Sequence, residues 1–192
     1  MRSEFRKRRR ALSDAEQREH GAAVCRWLAC SKLRLRRSPV AAYVAHDGEV
    51  VLNDFIRQCW THGSRIALPV VRRRDMEFRT LGRNDQLAPN RFGIEEPVSG
   101  RRIPTRTLGA VLTPLVAFTD AGDRLGMGGG FYDRHFSRPA NNTPRPLLIG
   151  IAHESQRADA LRSNAWDVPL DAVVTEDGWR VFNPRAANVA LY

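Results

Sequence analysis

Short apolar runs that alternate with helix-like segments constrain this chain most. Leu108 to Leu115 is apolar and bounded by turn residues, which predicts a buried strand. Val40 to Ala45, Arg65 to Val71 (interrupted by Pro69), Met76 to Leu81, Leu147 to Ala152 and Ala172 to Thr175 predict further strands. Between them lie helical patterns. Arg2 to Leu12 reads as a basic helix. Ser13 and Glu16 form a capping box for a helix over Asp14 to Cys30. Leu52, Phe55, Ile56 and Cys59 share one face of a helix over Leu52 to His62, with Gly63 at its C-terminal cap. A short helix is expected near Tyr132 to Ser137. Strands and helices in this order predict an α/β fold, a three-layer α/β sandwich with a mostly parallel central sheet. Asn84 to Arg106 and Pro139 to Pro146 read as an irregular connection and a flexible loop.

The 192 residues suit a single domain spanning 1–192. No stretch is apolar enough to cross a membrane, and no apolar run follows the basic start, so a cytoplasmic protein is expected, as a monomer. Cys25, Cys30 and Cys59 form no C-x-x-C pair and are expected as buried helix cysteines. The formal net charge of +10 favours anionic partners: nucleic acid, nucleotide phosphates or a polycarboxylate. Arg6 to Arg10 is read as a solvated helix face rather than a nucleic-acid patch, because no aromatic residues interleave it.

The chemistry concentrates in Thr113 to Arg134, which starts at a predicted strand end, where ligands gather in open α/β sheets. Gly126, Gly128, Gly129 and Gly130 occupy four of five positions, so backbone N–H groups can approach an anion closely. Arg124 and Arg134 flank the loop, the following helix points its positive end there, and Asp133 offers a carboxylate suited to magnesium beside phosphates. The spacing matches neither the Walker A nor the dinucleotide fingerprint. It leaves two readings open, a phosphate-binding loop and a Gly-rich structural turn.

The string Gly122-x-Arg124-Leu125-Gly126-x-Gly128-Gly129-Gly130-Phe131-Tyr132-Asp133 closely resembles the signature of the 5-formyltetrahydrofolate cyclo-ligase family. Pro114 to Phe118, Asn90 to Pro97 and Trp166 to Asp171 resemble further elements of it, in its bacterial branch. The resemblance implies ATP- and magnesium-dependent closure of 5-formyltetrahydrofolate to 5,10-methenyltetrahydrofolate. It implies an ATP site from Arg2 and Arg124, Leu125, Gly126, Met127, Gly128, Gly129, Gly130, Phe131 and Tyr132, with Arg124 and Tyr132 at the chemistry. Folate would be met by Val44, Glu49 and Met127 to Phe131, with Glu49 on the pterin N–H groups. Magnesium would be held by Asp133 and Asp167. The partners are then folate and ATP, not nucleic acid.

Two residues depart from the family pattern. A lysine four positions before the arginine matched by Arg2 is missing, which an upstream start, Lys7 or another arginine would answer, or else ATP binds more weakly. Phe131 stands where the family has tyrosine. Bland alternatives are a helix cap for Asp133, a turn cap for Asp167 and a solvated turn for Glu49. His46, His135 and His153 belong to no spaced metal motif and read as ordinary surface or core histidines.

Overall fold

The computed structural model describes residues 1–35, 38–73, 75–137, 145–162, 164 and 166–190. The expected loop from Pro139 lies outside the described residues as far as position 144. Eight strands form one sheet: β1 (Val40–Ala41), β2 (Ile66–Arg72), β3 (Asp75–Leu81), β6 (Arg102–Ile103), β7 (Ala110–Pro114), β10 (Leu147–Ile151), β11 (Ala172–Thr175) and β12 (Gly178–Val181). Their order is β12-β11-β10-β7-β1-β2-β3-β6. The middle five, from β11 to β2, are parallel, and antiparallel strands extend both edges.

The sheet is covered on both faces, as expected. Helices α2 (Asp14–Cys30), α3 (Asn53–Thr61) and α5 (Pro184–Ala190) cover one side. There Val24, Leu28, Phe55, Ile56 and Val189 pack on Val40, Ile66, Leu112, Ile149 and Val174. The other side is covered by the short α4 (Phe131–Phe136) and by the segments around Leu115 to Phe118 and Val168 to Leu170. Alternate residues of one strand serve the two cores, as the two-residue period requires: Val111 and Leu148 face one, Leu112 and Ile149 the other.

Local signals hold where they act locally. The Ser13 hydroxyl accepts the Glu16 N–H at 3.3 Å, and the Glu16 carboxylate accepts the Ser13 N–H at 2.8 Å. Gly63 follows α3 at φ +72°, a conformation glycine adopts without strain. Pro69 does not interrupt its strand. Pairing with β1 ends at Ala67, so β2 is one-sided where the proline lacks its N–H.

Four expectations need correction. The strand from Val40 ends at Ala41, because Tyr43 leaves the sheet to bond its hydroxyl to the Val50 carbonyl at 2.8 Å. Asn84 to Arg106 is not irregular: β4 (Leu87–Pro89) and β5 (Glu95–Pro97) form a hairpin, and β6 joins the main sheet. Cys25 and Cys59 are buried, but Cys30 is exposed. The basic run is not simply a solvated face. In α1 (Arg2–Arg10), Phe5 is buried against Val116 and Ala117, and Arg9 is fully buried.

Candidate active site

The chain runs from β1 to β2 on one side, then returns to place β7 on the other side of β1. That reversal opens a crevice at the carboxyl ends of β1 and β7, where open parallel sheets hold ligands. The loops leaving these two strands, Tyr43 to Glu49 and Leu115 to Gly130, therefore flank one space. A hairpin of β8 (Ala117–Phe118) and β9 (Arg124–Leu125) presents the glycine loop, and the Leu125 carbonyl accepts the Val116 N–H at 2.7 Å. Leu125 itself packs inward on Phe5, Val116 and Ala117.

The glycine loop has a conformation that larger residues disfavour. Gly128 lies at φ +97° and Gly130, the residue preceding α4, at φ +61°. Arg2 reaches it from α1 and donates from Nε to the Gly126 carbonyl at 3.1 Å. Met127 is half exposed, and its sulfur lies 3.9 Å from the Arg9 guanidinium. Arg124 ion-pairs with Asp133 and lies 5.8 Å from the Tyr132 ring centroid. The Arg124 side chain is nearly buried, and its Nε–H has no hydrogen-bond partner among the described residues. A buried, unanswered guanidinium donor beside a glycine loop fits an anionic group such as a phosphate oxygen.

Phe131 meets Phe92 edge-on at 5.9 Å between centroids, and Tyr132 stacks on Phe136 at 6.4 Å. Burial, with the Glu49 charge nearby, pushes the Tyr132 hydroxyl well above the usual phenol range. It therefore stays protonated and can only donate or accept as a neutral hydroxyl. Asp133 does not cap α4: besides Arg124, its carboxylate accepts the Val168 N–H at 3.3 Å. Asp167, the preceding residue, accepts the backbone and side-chain N–H groups of Asn164 at 2.8 and 3.2 Å. The fold thus brings the two aspartates to adjacent backbone, with each carboxylate on its own partner. Two carboxylates beside a phosphate-type loop are a donor set that suits magnesium.

Glu49 is not a solvated turn residue. Its side chain is 12% exposed and accepts the His46 N–H at 3.1 Å. Burial raises its carboxyl to about 7, against the opposing pull of the Arg9 guanidinium 3.8 Å away. Val44, on the same loop, is half-buried against the helix-side core.

Arg9 and Asp47 were missed as site residues. Arg9 donates from Nε to the Asp47 carbonyl at 2.8 Å and from its terminal nitrogens to the Leu115 carbonyl at 3.1 Å and the Asp47 carboxylate at 2.7 Å. Arg6 binds the same carboxylate at 2.9 Å, and Arg10 binds it too. Burial opposes ionisation of Asp47, but these three arginines hold its carboxyl far below the usual range. The signal was Phe5: an apolar residue in a basic helix marks a buried face, and Arg9 lies four residues on. Asp47 adopts φ +56°, so the turn that aims Glu49 inward is fixed by this ion cluster.

Comparison with known proteins agrees with this geometry. Residues 1–176 match the model of the 5-formyltetrahydrofolate cyclo-ligase family. The 5-formyltetrahydrofolate cyclo-ligase of Escherichia coli K12 is 37% identical over 176 residues, covering 89% of this chain and 96% of that protein. The Haemophilus influenzae cyclo-ligase is 33% identical over 176 residues, covering 88% and 92%. The NMR structure of Aquifex aeolicus 5,10-methenyltetrahydrofolate synthetase superposes with a TM-score of 0.81 at 28% identity, covering 94% of this chain and 90% of that one. The chain, with its glycine loop, its crevice between β1 and β7 and its match over nearly its whole length, belongs to the 5-formyltetrahydrofolate cyclo-ligase family of enzymes.

Proposed function

We propose that this protein cyclises 5-formyltetrahydrofolate to 5,10-methenyltetrahydrofolate, with ATP converted to ADP and phosphate and magnesium required. One observation carries the reading. The Arg9 guanidinium lies 3.9 Å from the sulfur of Met127 in the glycine loop and 3.8 Å from the Glu49 carboxylate, which supports a phosphate-type loop and a pterin-type acceptor sharing one crevice.

The chemistry explains the need for both. A formamide oxygen is a poor leaving group. Transfer of the ATP γ-phosphoryl group to that oxygen activates the formyl carbon, N10 of the folate attacks it, and phosphate departs. Such a transfer needs positioning and charge neutralisation rather than a protein nucleophile. Gly126 to Gly130 supply backbone donors, Arg2 and Arg124 supply positive charge, and Asp133 and Asp167 would hold the magnesium, which neutralises phosphate charge when bound. Glu49 accepts the pterin N–H groups, Val44 and Met127 line the ring, and Phe131 and Tyr132 wall the space between the reactants. Three cysteines in no disulfide agree with a cytoplasmic enzyme, which we take to be one domain acting as a monomer.

The test is direct. Purified protein is mixed with 5-formyltetrahydrofolate, magnesium and ATP, and the near-ultraviolet absorbance of the methenyl product is followed. ATP-dependent growth of that band is expected. Folate binding without growth would instead assign a folate-binding protein without turnover.

A further inference from the structure

Among the described residues, one group of three metal-ligating side chains lies outside the crevice just described: His20 of α2, His153 after β10 and Glu176 after β11. The three ligand atoms lie within 4.8 Å of one another. Nδ1 of His20 is 3.1 Å from Nδ1 of His153 and 3.2 Å from the Glu176 carboxylate. Zinc bonds of about 2.0–2.2 Å set tetrahedral donor atoms roughly 3.3–3.6 Å apart. Both measured separations fall a few tenths of an ångström short of that, so small side-chain rotations would open the trio around an ion.

The outer contacts orient the donors as metal sites require. Nε2 of His153 lies 3.2 Å from the Gly48 carbonyl, which can only accept, so Nε2 carries the proton and Nδ1 presents its lone pair to His20. Both Glu176 oxygens accept the Glu154 N–H, at 3.1 and 3.0 Å, which fixes that carboxylate. A histidine anchored through its far nitrogen and a carboxylate anchored by backbone are the usual supports of ligating groups. His153 is fully buried, while His20 and Glu176 are half-buried, which leaves a route for an ion from solvent. The nearby Arg9 guanidinium is turned toward Asp47 and Glu49.

We propose that His20, His153 and Glu176 form a zinc site, separate from the magnesium that serves ATP. Two imidazoles and one carboxylate favour zinc over magnesium, which takes oxygen ligands. The ion replaces the proton that His20 Nδ1 otherwise shares between the two acceptors. It ties α2 to the ends of β10 and β11, and through His153 to the Gly48 carbonyl next to Glu49. The inference does not depend on the folate reading.

The test uses the full chain, stripped with a chelator and kept in saturating magnesium. Zinc titration by calorimetry should show one equivalent bound at micromolar or tighter affinity. Cobalt in its place should give visible d–d absorption and two hyperfine-shifted imidazole N–H signals. His20→Ala and Glu176→Gln should each weaken binding by at least about tenfold, whereas His62→Ala, at an exposed histidine just after α3, should leave it unchanged. Absence of one-equivalent zinc uptake in the unmodified protein, or uptake undiminished in both variants, overturns the site. The cobalt–imidazole signals are read on the unmodified chain, so a variant that fails to fold does not blunt the test; their absence would show a hydrogen-bonded trio only.

Discussion

Replacing Glu49 with glutamine removes a carboxylate while keeping its shape, and the structure sets what should follow. In the folded protein this carboxyl is raised from an ordinary 4.5 to about 7, chiefly by burial. Below pH 4.5 it is protonated in both folded and unfolded chains and contributes nothing. As pH rises from there, the unfolded chain ionises first and folded stability falls until the folded group ionises near 7. Between pH 5 and 8 this one residue should cost roughly 2–3 kcal/mol of folding stability. Urea titrations of the wild type and Glu49→Gln at both pH values read it out. The wild type should lose about that much more than the variant on going to pH 8. In the same variant the folate concentration needed for half-maximal rate should rise more than the ATP concentration. Equal pH dependence in the two proteins would show that Glu49 titrates like an exposed carboxylate, and the burial argument would fail. A larger effect on ATP would move Glu49 out of the folate site.

Asp133→Asn should lower magnesium-dependent turnover between about ten- and a hundredfold in a folded protein; near-normal rates at unchanged magnesium demand would end its assignment as a ligand. Arg9→Met leaves the Leu115 carbonyl without its guanidinium donor and Asp47 short of one of its three arginines, and should cost about 3 kcal/mol by urea denaturation. A loss under about 1 kcal/mol would mean that Arg9 is not part of the frame. Gly128→Ala has room, since the added carbon meets only the Arg2 guanidinium at 4.0 Å, but φ +97° strains it. It should cost about 1–2 kcal/mol and raise the ATP requirement; a silent substitution would take Gly128 out of the phosphate wrap.

Legibility in the sequence followed the range of the forces involved. The Ser13 capping box and the apolar face of α3 are set within one or two turns, and both are present. The glycine string marked the loop because its backbone conformation is a property of those residues alone. Phe5 marked the buried face on which Arg9 lies, but the partners that make its burial possible, at Asp47 and Leu115, are distant in sequence and left no local trace. The hairpin of β4 and β5 hid behind its prolines, although Asn90 and Gly93 held the clue. The Asn90 side-chain oxygen accepts the Phe92 and Ile94 N–H groups, and Gly93 turns at φ +76°. The apolar run at Val40 continues past the end of the strand because Ala42 and Tyr43 are buried in the helix-side core without pairing in the sheet. Asp133 and Asp167 were each legible as candidates, but their approach through Val168 depends on packing 35 residues apart.

The contacts of α1 bear on how the protein is made. This helix precedes its partners by most of the chain: Arg9 closes on Leu115 across 106 residues and Arg2 on Gly126 across 124. Until more than half of the chain has emerged, neither partner exists, and a nine-residue cationic helix is too short to persist alone. It should therefore dock late, after the parallel strands have assembled, and its arrival should complete both the glycine loop and the turn that carries Glu49. Residues bulky enough to hinder that docking, such as a fusion joined directly ahead of Met1, should leave a chain whose sheet is formed but whose crevice is unfinished.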